Sequence, residues 1–441
     1  MSSSATSTTH LPQELVDTVI DELKTDVGSL RACSLVSKPW VYRSRKYLFA
    51  TVNLPTFLRR RWQECIAVRP NLDPHHHVRS LSLYPAAASA AFCIPETFAD
   101  HLSSFIQVSR LIITSSLWEE WTDAFSDGAL VAKYFGGFGQ TLRKLELTRV
   151  HLNMVVLDAL LDAFPRLEDI LIFSPIMVHE EAKNVEAFPH LRERRSSAEV
   201  QEESPNAIVP YEGAPVRWVD SVTLLFPPED LVVGLTNLPL HCRELVLAEG
   251  LDYGGDTFNL LLDSTGPTLE SLTIRSTSDR GNTIFSHCMD IPVPNHDRNS
   301  PGSPVTLENC PVLHKLKTKA PYNGLLTYTD EQVRLIRTAT SPFLGQIVFL
   351  GKWDDSQMDR TIDWLEPVSW ENVDRELCNL MDRLDEEVKL EVVFADAVLS
   401  GGDDVKGVDC GRTDGVGATL LNGMRTRGGV VKIQRTAEYL K

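Results

Sequence analysis

The chain has 441 residues, 43% apolar and 23% charged, enough apolar material for a sizeable core without staples or metals. Its 60 acidic against 43 basic residues give a net charge of −17, which argues against a general nucleic-acid or anionic-membrane binder. The eight cysteines are scattered, with no CxxC clip and no spacing that suggests a disulfide frame. The opening ten residues lack the apolar run of a secretory signal, and the longest apolar stretch, around 86–94, is too short for a membrane span. The expected compartment is therefore reducing, cytoplasmic and/or nuclear.

Residues 1–9 read as a disordered polar tail. A helix is expected next, with Pro12 in its first turn and Leu15, Val16, Val19, Ile20 and Leu23 on one face. Gly28 and Ser29 are expected to cap a second helix over 30–36, and Pro39 to open a third that runs to Phe49. Ile20, Leu35, Val36 and Trp40 are the expected core of this small module. Leu11 and Pro12 are left over, and a leftover apolar patch on a small helical module marks a docking surface.

The order and spacing of these residues resemble an F-box. The matching positions are Leu11-Pro12-x-Glu14-Leu15, then Ile20, Leu23 and Leu30, then Leu35-Val36-Ser37-Lys38-x-Trp40, with Pro39 where the family varies. The run from Leu30 to Ser37 is most like the F-boxes abundant in mushroom-forming fungi. The resemblance covers residues 10–54. It implies docking to an adaptor resembling S-phase kinase-associated protein, and through it to a cullin, by Leu11, Pro12, Leu15, Ile20, Leu23, Leu30, Leu35, Val36 and Trp40.

Residues 55–77 read as a basic helical linker. From Val78 onward the frame apolar-x-x-apolar-x-apolar recurs nine times, beginning at Val78, Val108, Leu142, Leu167, Val219, Cys242, Leu269, Leu313 and Leu344. Helical patterns lie between frames at 154–164, 230–235, 257–262 and 330–337, and a plain strand pattern follows at 388–394. Two junctions are close copies: Gly139-Gln140-Thr141-Leu142 and Gly266-Pro267-Thr268-Leu269. Short strand, turn and helix at such a period resemble degenerate leucine-rich repeats of the kind that follow F-boxes in fungi. The expected fold is α/β: an N-terminal three-helix F-box followed by an irregular leucine-rich-repeat-like solenoid over 78–399. Polar loops are expected at 192–215 and 276–304, and a loosely ordered Gly-rich tail over 400–441. Residues alternating with the frame, among them Ser80, Ser82, Lys144, Glu146, Ser271, Thr273, Lys315 and Lys317, should form a wet polar face. Lys144, Glu146, Lys315 and Lys317 are candidates for binding a protein target.

No catalytic constellation emerges. His75, His76 and His77 are adjacent in an extended loop and do not converge on one ion, and Asp354, Asp355 and Asp359 lack a second acidic motif or a basic clamp. Gly411, Gly415 and Gly417 miss the third glycine of a dinucleotide loop, since position 420 is Leu420. Arg194-Arg195-x-Ser197 is a basophilic-kinase-like site in a polar loop. No metal, cofactor or catalytic residue is expected. The chain reads as a non-enzymatic recognition subunit of a cullin–RING ubiquitin ligase, or alternatively as a non-ligase repeat scaffold with a helical N-terminal cap.

Overall fold

A computed structural model describes residues 11–55, 76–84, 102, 104–114, 134–152, 154–177, 216–238, 240–248, 255–275, 305–319, 326–352, 370–397 and 421–436. Residues 56–75 of the linker expected over 55–77, the loops at 192–215 and 276–304, and the sites at His75, Ser197, Asp354, Asp355, Asp359, Gly411, Gly415 and Gly417 lie outside these residues, while Pro55 closes the first strand. The chain divides into two compact units, Met1–Leu167 and Glu168–Lys441.

The first unit opens with three helices: α1 (Gln13–Glu22), α2 (Val27–Val36) and α3 (Lys38–Leu48). Pro12 stands immediately before α1, and its carbonyl accepts the first helical bonds from Leu15 and Val16. Helix α2 starts three residues earlier than the spacing predicts. Its N-cap is Asp26, whose carboxylate accepts the Ser29 backbone N–H at 3.1 Å, so Gly28 and Ser29 lie inside the helix. Two residues after α3 the chain enters β1 (Thr51–Pro55), so the end of the expected F-box range already belongs to the sheet. Strands β1, β2 (Ser80–Tyr84), β3 (Arg110–Thr114) and β4 (Lys144–Thr148) pair in that order, all parallel. Helix α4 (Met154–Ala163) follows.

The second unit continues the pattern. Strands β5 (Asp169–Phe173), β6 (Arg217–Leu225), β7 (Leu240–Ala248), β8 (Ser271–Arg275), β9 (Lys315–Lys319), β10 (Gln346–Lys352), β11 (Glu391–Ala397) and β12 (Val430–Thr436) are parallel neighbours in sequence order. Helices α5 (Glu229–Thr236), α6 (Gly255–Thr265), α7 (Leu326–Thr338), α8 (Trp370–Met381) and α9 (Asn422–Thr426) form a second layer, α5 against α6, α7 against α8 and α8 against α9. The fold class is therefore α/β with parallel strands and a helical N-terminus.

All nine frames bury all three of their positions, including Thr318, the one polar residue among them. A backbone relation marks the frames as structurally equivalent. The residue after the first frame position carries a carbonyl that receives two N–H groups from the next turn. Arg79 O accepts from Ser109 and Arg110, Ser109 O from Arg143 and Lys144, Glu168 O from Asp220 and Ser221, and Glu270 O from His314 and Lys315. Each turn thus satisfies the backbone of its successor, and the strand that follows starts in register.

The two copied junctions are also copies in space. Thr141 Oγ1 donates to Val108 O at 2.9 Å and Thr268 Oγ1 to Cys242 O at 3.2 Å, in both cases the first frame residue of the preceding turn. A Cβ at Gly139 would collide with Ala163 O and one at Gly266 with Asn309 O, so the glycine lets the next turn's backbone close in.

The segment expected as a loose tail contributes structure over 421–436. Strand β12 pairs with β11 along seven residues, Val430↔Glu391 to Thr436↔Ala397. Asp374 on α8 accepts the Gly423 and Met424 backbone N–H groups at 2.8 and 2.9 Å and so caps α9.

Candidate functional site

The helical module has too few apolar residues to bury and too many to hide. Its core is Val16, Ile20 and Leu30, with Leu23, Trp40, Tyr47 and Leu48 packed against it. Cys33, one turn beyond Leu30 on the same side of α2, is buried as well. An ion-pair clasp fixes α1 to α3. Arg43 donates to the two Asp21 oxygens at 2.7 and 2.5 Å, and the Tyr47 hydroxyl adds a bond at 2.8 Å. The Arg43 guanidinium, then the Tyr47 hydroxyl, hold the Asp21 carboxyl down at about 2. The same carboxylate pushes the Tyr47 phenol up.

What the core leaves outside is the candidate site. Leu11 is 56% exposed, Leu15 53% and Val19 44%, a stripe at four-residue spacing along α1 and its entry. On α2, Leu35 is 86% exposed and Val36 64%. Their expected place in the core is corrected. Leu30 and Cys33 turn inward, and at 100° per residue Leu35 falls roughly 140° away from Leu30, on the opposite side of the helix. Of the nine residues singled out for docking, Ile20 and Leu30 are buried and Leu23 and Trp40 half-buried. Leu11, Pro12, Leu15, Leu35 and Val36 are exposed. Val19 was not singled out, although its spacing from Leu11 and Leu15 could have shown it.

The outward strand face differs from expectation in two places. Glu146 and Thr273 are buried rather than wet. Arg110 on β3 grips Glu146 with both arms of its fork, at 2.9 and 3.0 Å, and Lys144 stands 3.5 Å away. Thr273 lies between Val246 and Lys317 in register, and Lys317 reaches diagonally past it to Glu244 at 3.7 Å. Ser80, Ser82, Ser271, Lys144, Lys315 and Lys317 are half-exposed, and Lys315 belongs to neither the Glu146 nor the Glu244 pair. Along the entry edge of the second unit, Arg243 stands 4.0 Å from Asp220 and 3.8 Å from Glu270, an exposed line of alternating charge. Burial pushes the Cys242 and Cys310 thiols up to about 12, which keeps both protonated at neutral pH.

No protein-family model matches this chain, and no curated protein is significantly similar to it. Among the described residues no group of three or more His, Cys, Asp or Glu side chains could hold a metal ion. No described helix is long and apolar enough to cross a membrane. The arrangement offers two surfaces for binding: an apolar one on the N-terminal helices and a polar, charge-paired one on the strands.

Proposed function

We propose that this chain is a substrate-recognition subunit of an SCF-type cullin–RING ubiquitin ligase, with no catalytic residue of its own. The helical module is an F-box that docks the S-phase kinase-associated adaptor and through it a cullin. The strand-built part is a degenerate leucine-rich-repeat domain that binds a protein target, in the cytoplasm and/or nucleus, and neither nucleic acid nor membrane is a partner. Ubiquitin transfer is accelerated by proximity, because the target is held near the loaded enzyme.

One observation carries this reading. The module exposes Leu11, Leu15, Val19, Leu35 and Val36 while its core is complete without them. Aliphatic side chains in that number on so small a body favour a partner that covers them. The test is co-purification of the full chain with adaptor and cullin, beside a Leu11→Ala, Pro12→Ala, Leu35→Ala variant of unchanged circular dichroism. Capture by the native chain and loss in the variant support the reading. Absence of capture in both refutes it.

The direct entry of α3 into β1, where Ala50 O accepts from Arg79 and Ser80, favours a second reading: a non-ligase scaffold whose helices close the sheet edge. That reading predicts no adaptor capture together with a large loss of stability when residues 1–49 are removed.

A further inference from the structure

Within the first unit, a cleft of about 760 Å³ lies between α3 and the turns that lead into β2 and β3. Its lining includes Lys38, Arg45 and Lys46 from α3, and His76, His77 and Arg79 from the turn before β2, with no carboxylate among the described lining residues. Residues 1–167, the unit that holds the cleft, carry 17 basic against 16 acidic residues, so the chain's net charge of −17 arises outside this unit. Arg43 also borders the cleft, but its charge is committed to Asp21. The Arg79 guanidinium donates to Gln107 O at 3.3 Å, and Lys46 sits 5.7 Å over the Tyr47 ring. Neither contact neutralises a charge. Lys38, Arg45, Lys46 and Arg79 therefore bring four positive charges to one concave space, with no carboxylate among its described lining residues.

We infer that this cleft binds a compact, multiply phosphorylated anion. Concavity with low-dielectric walls focuses the field of like charges, and guanidinium and ammonium groups are the side chains that meet phosphate oxygens best. The volume falls in the usual range for small-ligand pockets. The size of the cleft selects the size of the occupant. A compact anion fits inside and feels the local field of its wall, whereas a long polyanion such as a nucleic acid would carry most of its charge beyond it. The Tyr42 ring, edge-on to His77 at 5.2 Å, gives the cleft an aromatic wall. The inference does not depend on adaptor docking, since none of these residues belongs to the exposed apolar set.

The experiment is calorimetric titration of the full chain with tripolyphosphate, pyrophosphate and inorganic phosphate, at low and at physiological salt. Expected is saturable binding at one site per chain, tightest for tripolyphosphate and weakened by salt. Lys38→Gln with Arg45→Gln should weaken it about tenfold or more, while Lys315→Gln, a charge lost from the strand face, leaves it unchanged. A milder Lys38→Gln single variant repeats the test where the double variant is poorly folded. Loss of binding equal in Lys315→Gln, absence of saturation, or tighter binding of duplex DNA than of tripolyphosphate would each overturn the inference.

Discussion

Asp21 and Arg43 face each other across two helices, joined by bonds of 2.7 and 2.5 Å through both carboxylate oxygens. Their positions are 22 residues apart, and the Tyr47 hydroxyl completes the clasp one turn further along α3. Asp21 titrates at about 2 in the fold against an ordinary 3.8. A carboxylate with a lowered folded value contributes stability above its unfolded value, and that contribution disappears as pH falls toward the folded value. The native chain should therefore melt higher than Asp21→Asn at pH 6, with the gap closing between about pH 4 and pH 2. Tyr47 has the opposite sign: its raised value stabilises below its ordinary range near 10 and is lost above it. Thermal melts of the two proteins from pH 6 down to pH 2 check the Asp21 limb and melts through about pH 10 and above check the Tyr47 limb, and a gap that stays constant from pH 6 to pH 2 would contradict the clasp.

Core and surface positions of the module should separate in mutagenesis. Ile20 is fully buried, and Ile20→Ala should cost about 2–5 kcal/mol through the cavity it leaves. Leu35 is 86% exposed, so Leu35→Ala should stay within about 0.5 kcal/mol in a urea melt. Adaptor capture should behave inversely: lost in Leu35→Ala, and retained by whatever fraction of Ile20→Ala remains folded.

The nine frames were legible in the sequence because a parallel strand buried on one face prints its period directly, and every frame position lies inside. The module was half legible. Helix α2 has apolar residues on two sides, Leu30 and Cys33 on one and Leu35 and Val36 on the other. Composition cannot say which pair meets α1 and α3. The strand Val430–Thr436 is legible in part: Val430–Ile433 carries a strand-like pattern inside the Gly-rich segment, while its full extent comes from pairing with β11. The bonds that pin Asp374, Glu146 and Arg383 are invisible for the same reason: each partner lies tens of residues away.

Arg383 follows α8 and donates to three carbonyls at the end of α7, those of Ile336, Arg337 and Ala339, at 3.3, 3.1 and 2.9 Å. These are the carbonyls a helix terminus leaves without partners, and a cation there also meets the helix dipole. Arg383→Ala should cost about 1–3 kcal/mol, and Arg383→Lys should recover only part of it, since an ammonium cannot span three acceptors. Chemical denaturation of the three proteins measures both differences.

Gly423 has no room for a side chain, because a Cβ there would meet Asp374 Oδ2 at 2.8 Å and Cys378 Sγ at 3.1 Å. Gly423→Ala should push the Asp374 carboxylate off the two N–H groups it caps and loosen α9 with the strand that follows. Asp374→Ala should do the same at a cost of about 1 kcal/mol. Hydrogen exchange reads the effect locally: amides of 430–436 should speed up in both variants while those of β5 and β6 stay protected.

Charge reversal of Lys144, Lys315 and Lys317 together would not test the proposed target surface cleanly. Lys144 and Lys317 are tied to Glu146 and Glu244, so reversing them places like charges 3.5 and 3.7 Å apart. Lys317 is also the register neighbour of Thr273, whose buried hydroxyl has no hydrogen-bond partner among the described residues. A loss of partners in the triple variant would therefore mix recognition with damage to the sheet. Lys315 is half-exposed on the same face and outside both pairs. Lys315→Glu should leave the melting temperature within about a degree, as exposed substitutions away from special features do. If the strand face holds the target, this single change should remove specific partners from the proteins captured with the full chain while the adaptor is retained. An unchanged set of partners would move the target site off this face.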